Sequence, residues 1–191
     1  NLAQVPSDER FRQLFIPSEG LVLCGADLSG IELRMLSHYL ARFDCGRYAE
    51  ILLNGDIHQV NADKIDISRK RVKTLTYAFL YGAGDEKVGY SFDAQLSKSA
   101  AIKKGKEIRS AYVSAVDRLG DLLAAVAKAA ERGFIKSIDG RKIKVDSPHK
   151  ALNYLLQSGA GVIAKRWMTI NQDHMKEQQL CASQLAFVHD E

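Results

Sequence analysis

Two aspartates that could bind a metal ion stand far apart in the chain. Asp27 follows the apolar run 21–26, and Asp190 stands two residues after the apolar run 185–188. If both runs form strands that pair side by side, the two carboxylates meet at one edge of a sheet. Carboxylates bind Mg²⁺, and two such ions can bind the attacking and leaving oxygens of phosphoryl transfer. Because aspartate is also common at strand ends and in turns, this spacing leaves a structural role open.

Two cations and two aromatic rings recur at every fourth position of one predicted helix. They are Arg69, Lys73, Tyr77 and Tyr81. Each step of four residues drifts by about 40° around a helix, so the four side chains form one slowly turning stripe. The stripe could hold a triphosphate on its cations and a nucleobase on its rings. The alternative is an amphipathic helix with a solvated basic face, but cations near a helix N-terminus oppose the macrodipole and favour an anionic ligand.

Three further polar residues fit such a site but also fit an ordinary surface. His58 stands at a predicted helix start, where a lone histidine is usually a surface or capping residue. Asn153 and Gln157 are four residues apart on one helical face, where they could contact base edges or sugars, or simply be solvated. The sequence has no G-x-x-x-x-G-K-[ST] motif, which excludes a P-loop nucleotide site.

The elements that must position these residues are mostly helices. Ser29 and Glu32 form a capping-box pattern before a helical pattern that ends near residue 43. Ser68 could cap a helix that runs to Tyr81 and stops at the glycines of 82–84. Further helices are predicted over 97–112, 114–132 and 150–176, where Gly159 and Gly161 could bend or break the last one.

Four short strands are predicted, and they lie far apart in sequence. Asp139-Gly140 predicts a hairpin turn between strands 134–138 and 141–145. The apolar run 21–26 and the segment 183–189 are the other two candidates. Many helices with a few distant strands indicate an α+β fold.

The composition is that of an ordinary globular chain. Of its 191 residues, 46% are hydrophobic and 26% are charged, which argues against intrinsic disorder. No apolar run approaches the roughly 18 residues of a membrane span, so no membrane partner is expected. The three cysteines are too few and too dispersed for a disulfide framework or a C-x-x-C zinc site, and a cytosolic setting is expected.

The net charge of +4 is unevenly distributed. The segments 98–109 and 132–150 each carry a net charge of +4, so the rest of the chain carries a net charge of −4. Basic patches beside an acidic body suit a protein that holds a polyanion and also gathers carboxylates for metal ions. Charge alone favours the alternative that the two segments are solvated faces of helices or a hairpin. The apolar run 185–188 lies close to Glu191, and because a strand cut there would be exposed, we expect the chain to be part of a longer protein.

Three motifs, in order, resemble those of family A DNA polymerases, the family of bacterial DNA polymerase I. Asp-Leu-Ser-Gly-Ile-Glu-Leu-Arg at 27–34 resembles motif A, although Leu and Gly at 28 and 30 replace the commoner Tyr and Gln. The Arg-x-x-x-Lys-x-x-x-Tyr-x-x-x-Tyr-Gly pattern at 69–82 resembles motif B, and Val-His-Asp-Glu at 188–191 resembles motif C. The segments 54–58, 79–87 and 147–149 are similar to replicative polymerases of short-tailed phages.

This resemblance implies a partial right-hand polymerase fold. Helix-rich fingers, mostly 46–132, would be inserted in an antiparallel-sheet palm formed by 1–45 and 133–191. The thumb and the 3′–5′ exonuclease domain of the family are absent from these 191 residues. If the chain belongs to a virus, the expected location is the host cytoplasm.

The resemblance also implies a metal site. Asp27 and Asp190 would bind two catalytic Mg²⁺ ions, with the carbonyl of Leu28 as a further ligand and Glu191 beside the metals.

The implied nucleotide contacts fall mainly on motif B. Arg69, Lys73 and His58 would hold the triphosphate, and Lys73 would also protonate the pyrophosphate leaving group. Tyr77 would lie near the sugar and base. Glu32 would exclude a ribose 2′-hydroxyl, and this role is compatible with its capping-box role only if its side chain faces the cleft.

The implied DNA contacts and partners complete the expectation. Tyr81 would lie near the template position, and Asn153, Gln157 and His189 would contact the primer–template. The partners would be primer–template DNA and deoxynucleoside triphosphates, with a processivity factor on the missing thumb. The implied function is template-directed DNA synthesis. A nucleic-acid-binding module without catalysis and a two-metal nuclease remain the alternatives, although a nuclease needs more carboxylates near Asp27.

Overall fold

The computed structural model describes residue 5 and residues 8–187 of the chain. The chain divides into two compact units, the first formed by Asn1–Ile31 with Ala160–Glu191 and the second by Glu32–Gly159. The palm and fingers boundaries expected near residues 45 and 132 stay a prediction. No helix in the described part of the chain is long and apolar enough to cross a membrane.

The described chain is mostly helical. Its helices are α1 (Glu9–Arg12), α2 (Ile31–Asp44), α3 (Arg47–Asn54), α4 (Ile57–Ile65), α5 (Arg69–Leu80), α6 (Asp85–Phe92), α7 (Lys98–Ala115), α8 (Leu119–Ala130) and α9 (Ala151–Glu177). Two strands, β1 (Phe134–Lys136) and β2 (Lys142–Lys144), and a 3₁₀ turn (Pro148–Lys150) separate α8 from α9. Helices with a small antiparallel sheet confirm the predicted α+β class.

Helix α5 begins and ends where the sequence predicts. The hydroxyl of Ser68 accepts a hydrogen bond from the backbone N–H of Arg71, which satisfies one of the free donors at the helix start. At the other end Gly82 adopts a left-handed φ of 70°, and the N–H of Ala83 donates to the carbonyl of Ala78 over 2.8 Å. This is the glycine-dependent helix stop that the glycines of 82–84 predict.

The buried face of α5 fixes which of its residues point outward. Its core residues are Val72, Leu75, Thr76, Phe79 and Leu80. Arg69 and Lys73 are exposed as a result, and Tyr77 is half-buried at the border between the two faces. The apolar periodicity of the helix therefore decides the orientation of the predicted stripe.

Helices α6 and α7 pack backbone against backbone. A Cβ atom added at Gly89 of α6 would lie 1.9 Å from the carbonyl oxygen of Ala101 in α7. A Cβ atom added at Gly105 of α7 would lie 1.8 Å from the carbonyl oxygen of Asp85 in α6. Both contacts are possible only for glycine, so the two helices are held closer together than side chains would allow.

The hairpin and the two helices before it also confirm local sequence signals. Strands β1 and β2 pair antiparallel with Ile135 opposite Ile143, and Gly140 in the turn has a φ of 84°. Helices α7 and α8 match the two predicted helices, with ends shifted by one to five residues. Arg118, with a left-handed φ of 62°, separates them.

Helix α9 runs without interruption from Ala151 to Glu177, so the predicted break at its glycines is wrong, whereas the predicted bend stays a prediction. Gly159 has a packing role instead. A Cβ atom added there would lie 2.3 Å from the terminal methyl of Met35, which is 1% exposed. The glycine leaves room for Met35 in the core and does not interrupt the helical hydrogen bonds.

The two outer strands predicted from apolar runs are wrong over the residues that the structure describes. The run 21–26 is irregular, and Leu21, Val22 and Leu23 are exposed. Residues 183–187 are also irregular, whereas 188–189 lie outside the described residues. A strand needs a neighbour to pair its backbone groups, and within residues 8–187 the sheet joins only β1 to β2.

Candidate functional site

The aromatic half of the predicted stripe forms a stacked pair on the surface of α5. The ring centroids of Tyr77 and Tyr81 lie 6.4 Å apart, and their planes are inclined by only 23°. Tyr81 is 54% exposed, so one edge of the pair is open to solvent. An exposed pair of nearly parallel rings offers a flat apolar surface for a nucleobase or a sugar.

His58 extends this aromatic surface towards the cationic half of the stripe. It lies in the first turn of α4, only 7% exposed, with its ring centroid 6.1 Å from that of Tyr77. Its Nδ1 atom is buried and has no hydrogen-bond partner among the described residues. A buried polar nitrogen without a partner is costly and indicates a contact with a ligand or water.

The charges around His58 show that it shares one region with both cations. Burial lowers the pKa of His58, and the positive charges of Arg69 and Lys73 lower it further, against the opposite effect of Asp56. The imidazole is therefore neutral at pH 7 in the free protein. A polyanion placed between these three side chains would relieve the electrostatic conflict that lowers the pKa.

Asp56 is a member of the site that the sequence analysis did not identify. Its Oδ1 accepts hydrogen bonds from the N–H groups of His58 and Gln59, so it caps α4. Its Oδ2 accepts from Nε of Arg69 over 2.6 Å, and this bond lowers the pKa of Asp56. One carboxylate thus holds both the histidine and the first cation of the stripe. The turn at 54–56 was the available signal, because aspartate before a helix predicts a cap.

Glu32 contacts the aromatic end of the stripe. The hydroxyl of Tyr81 donates to Oε1 of Glu32 over 2.5 Å, and Glu32 is only 9% exposed. Helix α2 begins at Ile31 after a left-handed Gly30, one residue later than the capping-box pattern requires. The carboxylate of Glu32 faces Tyr81, and its role in excluding a ribose 2′-hydroxyl stays a prediction.

The two polar residues predicted on α9 lie near the end of α5. Asn153 donates from Nδ2 to the carbonyl of Leu80 over 2.8 Å, so its amide group supports the helix terminus before Tyr81. The Nε2 group of Gln157 is buried and has no partner among the described residues. The structure therefore joins Asn153 to the stripe through the backbone and leaves Gln157 with an unused donor.

The predicted metal ligands are only partly within the described residues. Asp27 is exposed, and the carbonyl of Leu28 accepts one hydrogen bond, from the N–H of Ile31 over 3.2 Å. A carbonyl oxygen has two lone pairs, so this bond leaves Leu28 able to bind a cation. Asp190, together with His189 and Glu191, lies outside the described residues. Among the residues that are described, no group of three acidic, histidine or cysteine side chains could hold a metal ion.

The fold matches part of a solved polymerase domain. All 191 residues align with 37% of a solved chain, the POL domain of Pol1 from M. smegmatis in complex with DNA primer-template and dNTP. The TM-score is 0.77 and the sequence identity is 24%. The chain therefore adopts part of a polymerase-domain fold, as the sequence motifs predict.

The family follows from the sequence comparisons. The family model for DNA polymerase family A matches residues 1–191, and the chain belongs to this family. It is 35% identical to the DNA-directed DNA polymerase of Escherichia phage T7 over an alignment that covers 100% of the chain and 31% of the phage protein. It is 28% identical to DNA polymerase I of Pseudomonas aeruginosa, of which it covers 23%. The chain thus spans about a third of the length of its phage relatives, and the predicted phage-like family A assignment is confirmed.

Proposed function

We propose that this chain is the fingers and part of the palm of a longer DNA polymerase that carries out template-directed DNA synthesis. The observation that carries the proposal is the joint surface formed by Arg69, Lys73, His58, Tyr77 and Tyr81. Cations at one end and stacked rings at the other match the two chemically different ends of a deoxynucleoside triphosphate. Family membership supports the same conclusion.

The cationic end would bind the triphosphate. In the reaction, the primer 3′-hydroxyl attacks the α-phosphate and pyrophosphate leaves, so negative charge builds up on the leaving group. The exposed ammonium of Lys73 can hold this group and donate a proton to it. The buried His58 and the Asp56-bound Arg69 would fix the position of the phosphates through hydrogen bonds and charge.

The aromatic end would select the sugar and the base pair. The ring of Tyr77 would lie against the sugar and base of the incoming nucleotide, with Tyr81 at the template position. Glu32, buried and bound to the hydroxyl of Tyr81, would occupy the space that a ribose 2′-hydroxyl needs. Such a contact rejects ribonucleotides because the carboxylate cannot move aside without losing its partner.

The catalytic metal ions belong to the same proposal. Asp27, the carbonyl of Leu28 and Asp190 would hold two Mg²⁺ ions, with Glu191 beside them. Carboxylate and carbonyl oxygens are the ligands that Mg²⁺ prefers, and Leu28 keeps a lone pair for it. When bound, the ions would stabilise the charge that develops on the transferred phosphate.

Primer extension by the full-length protein that contains this chain tests the proposal. We expect a labelled primer on a longer template to be extended by the templated nucleotides, and we expect Asp27→Ala and Asp190→Ala to abolish extension. Both variants should bind DNA in a gel-shift titration like the parent, because their carboxylates contact metal ions and not DNA phosphates. Glu19→Ala, which removes an exposed carboxylate of the same unit, is the matched control and should extend normally.

The same assay separates the alternatives. Binding without extension would identify a nucleic-acid-binding module, and shortening of the primer would identify a nuclease. Either result would overturn the proposed function. Adding the candidate thumb-bound processivity factor is a later step, because that partner would contact a part of the protein outside this chain.

A further inference from the structure

Arg109 of α7 contacts three residues around the end of the stripe. Its Nε donates to Oδ1 of Asp85 over 2.7 Å, and its Nη2 donates to the carbonyl of Ala83. Its Cζ atom lies 5.5 Å from the ring centroid of Phe79. These three partners belong to the end of α5, the turn 81–84 and the start of α6, so a single guanidinium joins all three.

The Arg109 contacts differ from an ordinary surface ion pair. The side chains of Arg109 and Asp85 are only 31% and 28% exposed. The planar guanidinium serves two acceptors and a ring face at once, which a lysine ammonium cannot do with the same geometry. Helix α7 is also fixed against the start of α6, because Gly105 packs directly on the backbone of Asp85. Arg109 therefore has several directional contacts that restrict the position of its guanidinium.

The segment that Arg109 holds carries Tyr81. The N–H groups of Tyr81, Gly82 and Ala83 donate to the carbonyls of the last turn of α5, with distances of 2.8–3.0 Å. On the other side, Asn153 donates to the carbonyl of Leu80. Between these two anchors Tyr81 keeps its ring against Tyr77 and its hydroxyl on Glu32.

We infer that Arg109 is a positioning residue for Tyr81. It holds the turn 81–84 so that the two tyrosine rings stay stacked and present one fixed surface. Its consequence for nucleotide selection rests on the proposed function, in which this surface meets the base pair. Because the partners of Arg109 are Phe79, Ala83 and Asp85 and do not include Lys73, its loss should weaken nucleotide binding and selection more than it slows the chemical step.

Two measurements on the full-length protein test this inference. The first is amide hydrogen exchange of residues 81–83, which needs no enzymatic activity. Arg109→Gln should speed exchange there by about tenfold, because a part-buried charge-assisted bond is lost and each tenfold corresponds to about 1.4 kcal/mol. The matched control is Lys104→Gln, which removes one charge from the same helix together with an exposed pair to Glu107 at 3.6 Å. It should leave this exchange unchanged.

The second measurement is single-nucleotide insertion. Arg109→Gln should raise KM for the correct nucleotide by about tenfold and reduce discrimination against mismatches, with kcat lowered less than about threefold. Arg109→Lys keeps the positive charge near Asp85 but loses the planar guanidinium that reaches two acceptors, so its KM should lie between those of the parent and Arg109→Gln. In a Tyr81→Ala background, Arg109→Gln should add less than about twofold, since the residue it positions is already gone.

Each outcome decides the question. If Arg109→Gln matches Lys104→Gln in exchange at 81–83, or if its KM effect is undiminished in the Tyr81→Ala background, the inference is wrong. If Arg109→Gln unfolds the protein, Arg109→Lys and Asp85→Asn provide the same comparison. If the parent protein extends no primer, the proposed function fails, and the exchange measurement alone decides whether Arg109 holds the turn.

Discussion

The hydrogen bond between Tyr81 and Glu32 should contribute measurably to stability. Tyr81→Phe removes the hydroxyl and keeps the ring, so the buried carboxylate of Glu32 loses a donor at 2.5 Å. Hydrogen bonds to charged groups are worth about 1.5–3 kcal/mol. Because Tyr81 is 54% exposed and water can reach its edge, we expect a loss near 1.5 kcal/mol, at the lower end of that range.

A second tyrosine supplies the control for this prediction. Tyr154 donates to Oδ1 of Asp146 over 2.7 Å, but that bond is exposed. Tyr154→Phe makes the same chemical change where water replaces the lost partner, so we expect its effect to stay within about 0.5 kcal/mol. Urea-induced unfolding of the full-length protein measures the loss of unfolding free energy for each variant, provided that the same unfolding transition is compared in the parent and both variants.

The result that refutes the reasoning is equal destabilisation by the two variants. Equality would mean that water satisfies Glu32 as well as it satisfies Asp146. A double-mutant cycle with Glu32→Gln adds a further check, because Tyr81→Phe should cost less once the carboxylate charge has been removed.

Three further predictions concern the stripe and the histidine beside it. In single-turnover assays, Lys73→Ala should lower the maximal rate of nucleotide insertion at least about 100-fold, whereas Lys70→Ala, which lies off the stripe, should change it less than about threefold. Similar losses of rate in the two variants would contradict the assigned helix face. A dideoxynucleotide lacks the 3′-hydroxyl of a normal substrate, and the hydroxyl of Tyr77 can supply the polar contact in its place. Tyr77→Phe removes this hydroxyl, so the variant should discriminate against dideoxynucleotides in a competition assay. Unchanged discrimination would mean that the ring does not face the sugar. Because the pKa of His58 is lowered in the folded state, the unfolded state takes up the proton at a higher pH, and stability should fall as the pH drops below about 6.5. Thermal denaturation at pH 7.5 and 5.5 measures this fall, which His58→Asn should reduce. An identical fall in the variant would exclude His58 as its source.

Local signals in the sequence predicted the central helix and the hairpin. A serine cap at residue 68 and a left-handed glycine at residue 82 each lie next to the end of α5 that they define, and Asp139-Gly140 specifies its own turn. Such signals need no information from distant parts of the chain. The orientation of the stripe followed from the same local periodicity, because the apolar residues of α5 must face the core.

Elements that depend on distant partners could not be predicted in the same way. The runs 21–26 and 183–187 have strand-like composition, but composition cannot supply the neighbouring strand that would pair with them. Helix α3 begins at Arg47 after Gly46, and α6 begins at Asp85 after Gly84, so neither helix is capped by the side chain of its N-cap residue. Both are only eight residues long and lack the Ser, Thr, Asp or Asn N-cap by which a helix start is most readily recognised.

Site residues divide along the same line. The stacked tyrosines were predictable from their spacing, whereas the bond between Asp56 and Arg69 joins two helices and has no sequence signature. Arg109 belongs to a run of lysines that the charge pattern assigned to a solvated face. Its partners become visible only when α6 and α7 are packed together.

The close packing of α6 and α7 restricts how this protein can be engineered. Replacing helical glycines by alanine is a common route to thermostability. The change stabilises the folded state by about 0.4–1 kcal/mol, because it reduces the conformational entropy of the unfolded chain. At Gly89 and Gly105 a methyl group would collide with a backbone carbonyl, so the same change would push the two helices apart. Gly120 in α8 is the safer target, since its nearest neighbour would be a methyl of Val113 at 3.9 Å. A library of alanine substitutions chosen by helix propensity alone would therefore include Gly89 and Gly105, where this fold does not tolerate the added methyl group.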